Sequence, residues 1–340
     1  MSMAELNFVA PGRLEWRETD EPRLDSDRAA LVRPVAVSTC DLDAAIVHGR
    51  APLQGPFPIG HECVARVVET GGRVSAEPGS LVSVPFQISC GECGRCRIGQ
   101  TGHCESVPRL SAYGMGDLGG AWGGFLSDSV RVPYADTMLV PLPDGVSPTA
   151  AASVSDNVVD AWRTVAAPLG EHPGGPILIV GGGGSIALYA IAIARALGCE
   201  SVDYVDWDPD RLELARELGA GTIEGRFPER LGPYPITVDS SAEHAGLACA
   251  VRSTEPEGIC TSTGIYFEPE TPVPLLEAYT KGITFRTGRV HARPAIPKVL
   301  ELMAGDRLAP EMVTAELIAW EDAAEALADH TTKLVVTRAD

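Results

Sequence analysis

Four cysteines packed into fifteen residues constrain this chain more than any other feature. They stand at Cys90, Cys93, Cys96 and Cys104 in the segment CGECGRCRIGQTGHC. The spacing is C-x2-C-x2-C-x7-C, and short glycine-rich spacers let the backbone turn tightly enough to gather four thiolates around one ion. Four sulfurs with no open position describe a closed structural metal site whose task is to hold a loop. Zinc and an iron–sulfur cluster both suit such a set at this point. Disulfides suit it poorly. The N-terminal MSMAELNFVAPGRLEW lacks a basic segment followed by an apolar core, so no export signal is expected. A cytoplasmic chain keeps its cysteines as thiols or metal ligands.

A second, open site is foreshadowed upstream. Cys40 sits in RPVAVSTCDLD, and His61 and Glu62 follow Gly60 in FPIGHEC. A Cys, a His and one carboxylate would bind zinc with three protein ligands and leave a fourth position for water or substrate. Around them AALVRPVAVS (29–38), CVARVVET (63–70) and SLVSVPF (80–86) read as strands between Gly, Pro and Asp turns.

From Pro176 the pattern changes. ILIV is a wholly apolar run suited to a buried parallel strand, and GGGGSIALYAIAIARALG follows it. Read as G-x-G-x-x-A, the turn uses Gly182, Gly184 and Ala187, with Ser185 and Ile186 opening the helix. Glycines permit a tight turn and close approach of backbone to a pyrophosphate, and the helix amides face its charge. Asp206 ends the next apolar run, nineteen residues past Ala187, where an acid binding the adenosine ribose is expected. Asp208 adds a second negative charge, so NAD is expected over NADP. Arg211 reads as an ordinary residue of the helix DRLELARELGA, although it is near enough to matter if that segment folds back.

These pieces together resemble the zinc-dependent medium-chain dehydrogenase/reductase family of the alcohol dehydrogenase type. The resemblance spans essentially the whole chain. Its motif G-H-E-x2-G-x5-G-x2-V is met by Gly60, His61, Glu62, Gly71 and Val74, with Ala65 in place of one glycine, and C-x-x-D by Cys40 and Asp43. The resemblance implies an α/β chain: a GroES-like, β-rich catalytic domain over 1–150 and 291–340, and a Rossmann doubly wound parallel-sheet cofactor domain over 151–290. It implies two zinc ions per chain, the four-cysteine site being structural. Cys40 and His61 would be catalytic-zinc ligands, with Glu62 a carboxylate able to approach the metal and Asp43 the acceptor that fixes the His61 ring. Asp156, in AASVSDNVVDAWRTV, is taken as the third ligand in preference to Asp160. Lys333 falls where a basic residue often contacts the cofactor.

One departure bears on mechanism. The family usually places Ser or Thr two residues after the zinc cysteine to pass the alcohol proton outward. That position is Leu42 here, and a His often found three residues later is replaced by Ala45. His48 lies nearby, but a turn or surface histidine is its plainer reading.

The favoured function is hydride transfer between NAD(H) and an alcohol, ketone or aldehyde, with zinc on the substrate oxygen. Reduction of an iminium or activated alkene is the alternative that Leu42 suggests, since such an acceptor needs no alkoxide relay. A zinc-stabilised binding protein without catalysis is the alternative of another class. Leu42, Trp122 and Val290 stand where the family builds its pocket walls. A net charge of −19 argues against nucleic acid and anionic membranes as partners. A homodimer or homotetramer is expected by resemblance, and Cys63, Cys199, Cys249 and Cys260 are left as ordinary buried thiols.

Overall fold

The structure is a computed structural model that describes residues 2–329 and 333–338. The chain divides into two compact units, Met1–Val159 with Val290–Asp340, and Asp160–Arg289. Residues 330–332 and 339–340 of the returning segment lie outside the described residues.

The first unit is built on β structure. Its centre is the strand Ala30–Ser38, which pairs antiparallel with Glu62–Thr70 on one side and with Leu334–Thr337 on the other. A nearly continuous apolar run, buried at most positions, makes the strand, and a register shift between Pro34 and Ala36 absorbs the proline, which has no N–H for the ladder. Leu81–Val84 continues the sheet beyond Glu62–Thr70; it stops short of the expected 86 because Pro85 cannot donate. The C-terminal strands Glu316–Ala319 and Leu334–Thr337 complete the seven-stranded sheet, in which residues almost three hundred positions apart become neighbours, as Val335 and Ser38 do. A separate three-stranded sheet joins Ser2–Ala10 to Arg13–Asp20 and Phe57–Pro58. Leu6, Phe8, Val37, Ile59, Val84, Tyr113 and Phe125 are buried in the core of this unit.

The second unit is a six-stranded sheet in which every neighbouring pair is parallel. Ile177–Val180 lies at its centre, flanked by Val202–Asp206 and Tyr234–Asp239. Counted along the chain, the strands stand in the order 3-2-1-4-5-6, the order of a dinucleotide-binding fold. The connection leaves the first strand where the order reverses, and such a crevice is where ligands settle in open α/β sheets. All four residues of ILIV are fully buried, because helices cover both faces of a parallel sheet. At its C-terminal end the chain turns through Gly181–Gly184 into the helix Ser185–Ala196, with Gly184 as an extended N-cap.

Ile179 sits in the central strand with no exposed surface. Replacing it by Ala is expected to destabilise the second unit by about 2–5 kcal/mol, through lost burial and a residual cavity. Urea unfolding followed by circular dichroism would show it as a lowered midpoint at unchanged slope.

Candidate metal centre and dinucleotide turn

Cys40 follows the central strand and caps the helix Asp41–Val47. Its extended backbone turns Sγ back over the first turn, where the Leu42 amide donates to the sulfur at 3.2 Å. In return, the Cys40 amide donates to Asp43 Oδ2 at 2.8 Å. His61 comes from the neighbouring strand, just before Glu62–Thr70, whose first residue pairs with Ser38. Gly60 turns the chain there at φ +96°, and a side chain at 60 would press within 3.0 Å of the Leu126 backbone. Asp156 follows the short turn Ala152–Ser155 and precedes the helix Asn157–Glu171.

These three side chains converge. Cys40 Sγ lies 3.0 Å from His61 Nε2, and Asp156 Oδ2 lies 3.4 Å from the same nitrogen. Their donor atoms all fall within 4.8 Å of one another, one sulfur, one imidazole nitrogen and one carboxylate oxygen. On the far side of the ring His61 Nδ1 lies 3.3 Å from Asp43 Oδ1, and both atoms are buried without a well-aligned hydrogen bond. Burial pushes the Cys40 thiol up to about 12, so a thiolate at this point requires a cation beside it. The donor set and its burial fit zinc, with Asp43 placed to set the tautomer of His61. Asp160, the competing acid, is instead paired with Arg163 one turn further along.

Glu62 departs from expectation. It is fully buried, but its carboxylate is not one of the converging atoms. Oε1 accepts from the Asn157 amide at 3.0 Å, and Oε2 is paired with Lys333 Nζ at 2.5 Å. Lys333 also donates to Asn157 Oδ1 at 3.1 Å, and Asn157 Nδ2 donates to Asp156 Oδ2 at 3.2 Å. The ammonium expected at the cofactor is therefore spent on Glu62, since a buried charge must be paired where it lies. Asn157 was missed by sequence reasoning, although a polar residue beside the acid in an otherwise apolar stretch was its signal.

Cys90, Cys93, Cys96 and Cys104 also meet, each sulfur within 4.8 Å of the others. Amides point at the sulfurs: Glu92 and Cys93 at Cys90 Sγ, Cys96 and Glu105 at Cys93 Sγ, and Cys90 at Cys104 Sγ, all between 3.3 and 3.4 Å. Burial raises the Cys90 thiol, yet the Ser106 hydroxyl and these amides bring it down to about 6, and Cys93 is lowered by its amides too, whereas burial holds Cys96 and Cys104 up. Cys63, Cys199, Cys249 and Cys260 are buried and unpaired.

In the second unit, Gly182 takes φ +122°, and a Cβ there would meet Phe227 Cζ and Trp207 Cη2 at 2.9 Å. Gly184, Ser185, Ile186 and Ala187 lead into the helix as the spacing predicts. Asp206, however, has no exposed surface. Its Oδ1 accepts from the amides of Trp207 (2.7 Å) and Asp208 (3.0 Å), and its Oδ2 from the amide of Gly182 (3.1 Å) and the hydroxyl of Tyr204. Arg211 folds back from its helix and grips both oxygens at 2.8 Å. Burial alone would raise this carboxyl, and the Arg211 and Tyr204 bonds more than offset it and hold it below its usual range. The reading of Arg211 as a plain helix residue is corrected: it belongs to the helix Pro209–Glu217 and to Asp206 at once.

Residues 26–144 match the alcohol dehydrogenase GroES-like domain. A medium chain reductase/dehydrogenase of an Acremonium species is 30% identical over 65% of this chain and 76% of its own length. The chain belongs to the zinc-dependent medium-chain dehydrogenase family. A protein of Mycobacterium tuberculosis described as a probable zinc-binding alcohol dehydrogenase is 27% identical over 93% of this chain and 82% of its own length. The alcohol dehydrogenase of Thermus sp. ATN1 superposes with a TM-score of 0.88 at 28% identity, covering 99% of this chain and 100% of that one. The family member described here is thus a GroES-like unit plus a Rossmann-type unit, and a zinc-dependent oxidoreductase of the alcohol dehydrogenase type. The iminium or alkene reductase and the non-catalytic protein are not favoured.

Lys333→Met would strand the buried Glu62 carboxylate, and a loss of about 3–5 kcal/mol is expected. Thermal unfolding should show most of that loss recovered when Glu62→Gln is added. No recovery in the double variant would mean that Lys333 acts elsewhere.

Proposed function

We propose that this enzyme interconverts an alcohol and its aldehyde or ketone at the Cys40–His61–Asp156 centre, using a nicotinamide dinucleotide held by the Gly182–Ala187 turn. The observation that carries the reading is the convergence of those three donor atoms within 4.8 Å, in a set that leaves a fourth position open. Zinc bound there supplies Lewis acidity toward the substrate oxygen. The chain's own groups do the positioning. Asp43 keeps Nε2 of His61 turned to the site, the Leu42 amide supports the Cys40 sulfur, and Asn157 steadies Asp156. The helix Ser185–Ala196 offers its N-terminal amides to the pyrophosphate. The second zinc, at the four cysteines, holds the loop and takes no part in chemistry.

Leu42 packs against the core of the first unit and has no proton to give, and Ala45 packs beside it. His48 is exposed and bonded to the Ala44 carbonyl at 2.7 Å, so its ring is committed to capping its own helix. Trp122 and Leu42 are half-buried on the same core, which gives the first unit apolar surface for a small organic substrate, while Val290 is buried.

The same reading places the enzyme in the cytoplasm, where a reducing compartment keeps nine cysteines unpaired. No described helix is long and apolar enough to cross a membrane. A homodimer through the second unit is supported by its open sheet edge, Thr284–Arg286, and by the helix Leu275–Lys281, on which Leu275, Leu276 and Tyr279 are 72–81% exposed.

Metal analysis is expected to find two zinc ions per chain, falling to one in Asp156→Asn, with alcohol turnover lowered at least ~100-fold. Two zinc ions retained in that variant would remove Asp156 from the ligand set. Tyr279→Asp with Leu276→Asp is expected to shift the native mass toward the monomer in light scattering, and an unshifted mass would place the interface elsewhere.

A further inference from the structure

A cavity of about 680 Å³ opens on the first unit where the four-cysteine loop meets the returning segment, a volume that suits a small organic molecule. Its lining departs from the charge of the chain. The protein carries 46 acidic residues against 27 lysines and arginines, yet among the described residues no Asp or Glu borders the cavity. Arg95, Arg109, His103 and His291 do, with Gln100 and Ser111 beside them. Ile88, Val107 and Leu110 add apolar surface.

The fold holds these groups in place. The Gly102 amide donates to His291 Nδ1 at 3.1 Å, which leaves the ring proton on Nε2. Gln87 fixes the chain on either side of that histidine: its Nε2 donates to the Val290 carbonyl at 2.8 Å, and its Oε1 accepts from the Ala292 amide at 3.3 Å. A side chain at 102 would come within 2.7 Å of Gln87 Nε2, so glycine is what lets the loop approach this closely. The rings of His103 and His291 meet edge-on with centres 5.2 Å apart. Arg95 Nη1 donates to Gln100 Oε1 at 2.8 Å, and its Nε lies 3.8 Å from Glu105, whose side chain is more than half exposed. Cys104 also borders the cavity. The hydrogen bonds to the four cysteine sulfurs come from amides and the Ser106 hydroxyl, so the arginines are not engaged with that loop's thiols. Arg109 has no hydrogen-bond or ion-pair partner among the described residues.

We propose that this cavity binds a small organic anion, an oxyanion head joined to a short apolar body, at a site apart from the Cys40–His61–Asp156 centre. A guanidinium presents planar paired donors that match a carboxylate or a phosphate, and Arg109 keeps all of its donors for a ligand. Two permanent cations in a concave site focus the field there, which draws anions to this part of an otherwise acidic surface. His103 and His291 supply further N–H donors, and Ile88, Val107 and Leu110 take the apolar body out of water. A neutral molecule of the same shape gains only the apolar part. The site takes no part in the hydride step, so the proposal does not depend on the alcohol reading.

Isothermal titration of the zinc-loaded full chain with benzoate, phenyl phosphate and benzamide tests this. At least one of the two anions should bind one per chain with Kd below about 1 mM, and benzamide at least about tenfold more weakly. The anion that binds more tightly identifies the head group, and either preference supports the site. Arg109→Ala should weaken that anion about ten- to a hundredfold, the change expected for losing charge-assisted hydrogen bonds, and Arg109→Glu should abolish measurable binding. Arg109 is exposed and unpaired, so both variants keep the fold, which circular dichroism would verify. In spectra of nitrogen-labelled histidine, the rings of His103 and His291 should shift on adding the anion, and that of His48 should stay. An anion seated on the open metal centre or at the glycine turn would be indifferent to Arg109, and unchanged affinity in Arg109→Ala overturns the proposal. So do absence of binding by both anions, benzamide binding as tightly as they do, and unmoved signals from His103 and His291.

Discussion

A buried ion pair holds the first unit together around its chemistry. Glu62 and Lys333 stand 271 positions apart in sequence, and neither has appreciable exposed surface. Desolvating two charges costs several kcal/mol per ion, and their attraction repays it only when the remaining hydrogen-bonding positions are filled. Asn157 fills them, with its amide on Glu62 and its side-chain oxygen on the ammonium. Three chain segments are thereby pinned at one point: the strand that follows His61, the residue beside Asp156, and the approach to the C-terminal strand. The first two carry proposed metal ligands, so the ion pair fixes the spacing of the site as well as the closing of the sheet.

The two clusters of candidate metal ligands solve different problems. Four cysteines within one loop need little from the rest of the fold, because their own amides supply the hydrogen bonds that favour thiolates. The proposed open cluster draws its donors from three distant segments and is shielded from water, with Cys40 and His61 both buried. Asp43 and His61 illustrate the difference. His61 Nδ1 and Asp43 Oδ1 lie 3.3 Å apart and hidden from water, so a carboxylate faces that edge of the ring. A dry cluster of this kind strengthens the field felt by a bound oxygen and keeps the ligands from drifting.

The second unit follows a different logic. Its parallel sheet is buried on both faces, and the glycine-rich turn lies where the strand order reverses. Recognition there is decided by side chains at the strand ends, and those side chains are bonded to one another. Tyr204 and Arg211 engage Asp206, and Trp207 lies near the Arg211 guanidinium, which ties a short acidic segment together at the strand end.

Much of this was legible in the sequence because much of it is local. The spacing of Cys90 to Cys104 specifies a metal loop whatever surrounds it. The ILIV run followed by glycines and a helix specifies a strand, a turn and an anion-facing N-terminus, and Cys40, Asp43 and His61 could be paired by motif. What the sequence left undecided concerns partners that meet only after folding. The position of Lys333 suggested a cofactor contact, yet Glu62 reached it first, because a buried carboxylate must find a cation among the residues that tertiary structure places beside it. Asp206 stood at the right distance from the turn to bind ribose, and spacing along a chain cannot show that Arg211 folds back across its carboxylate. Sequence alone determined which groups could do the chemistry, since ligand type and local geometry follow from residue order. Tertiary structure decided which of those groups are available, since burial forces every charge to be satisfied by whatever lies nearest in space.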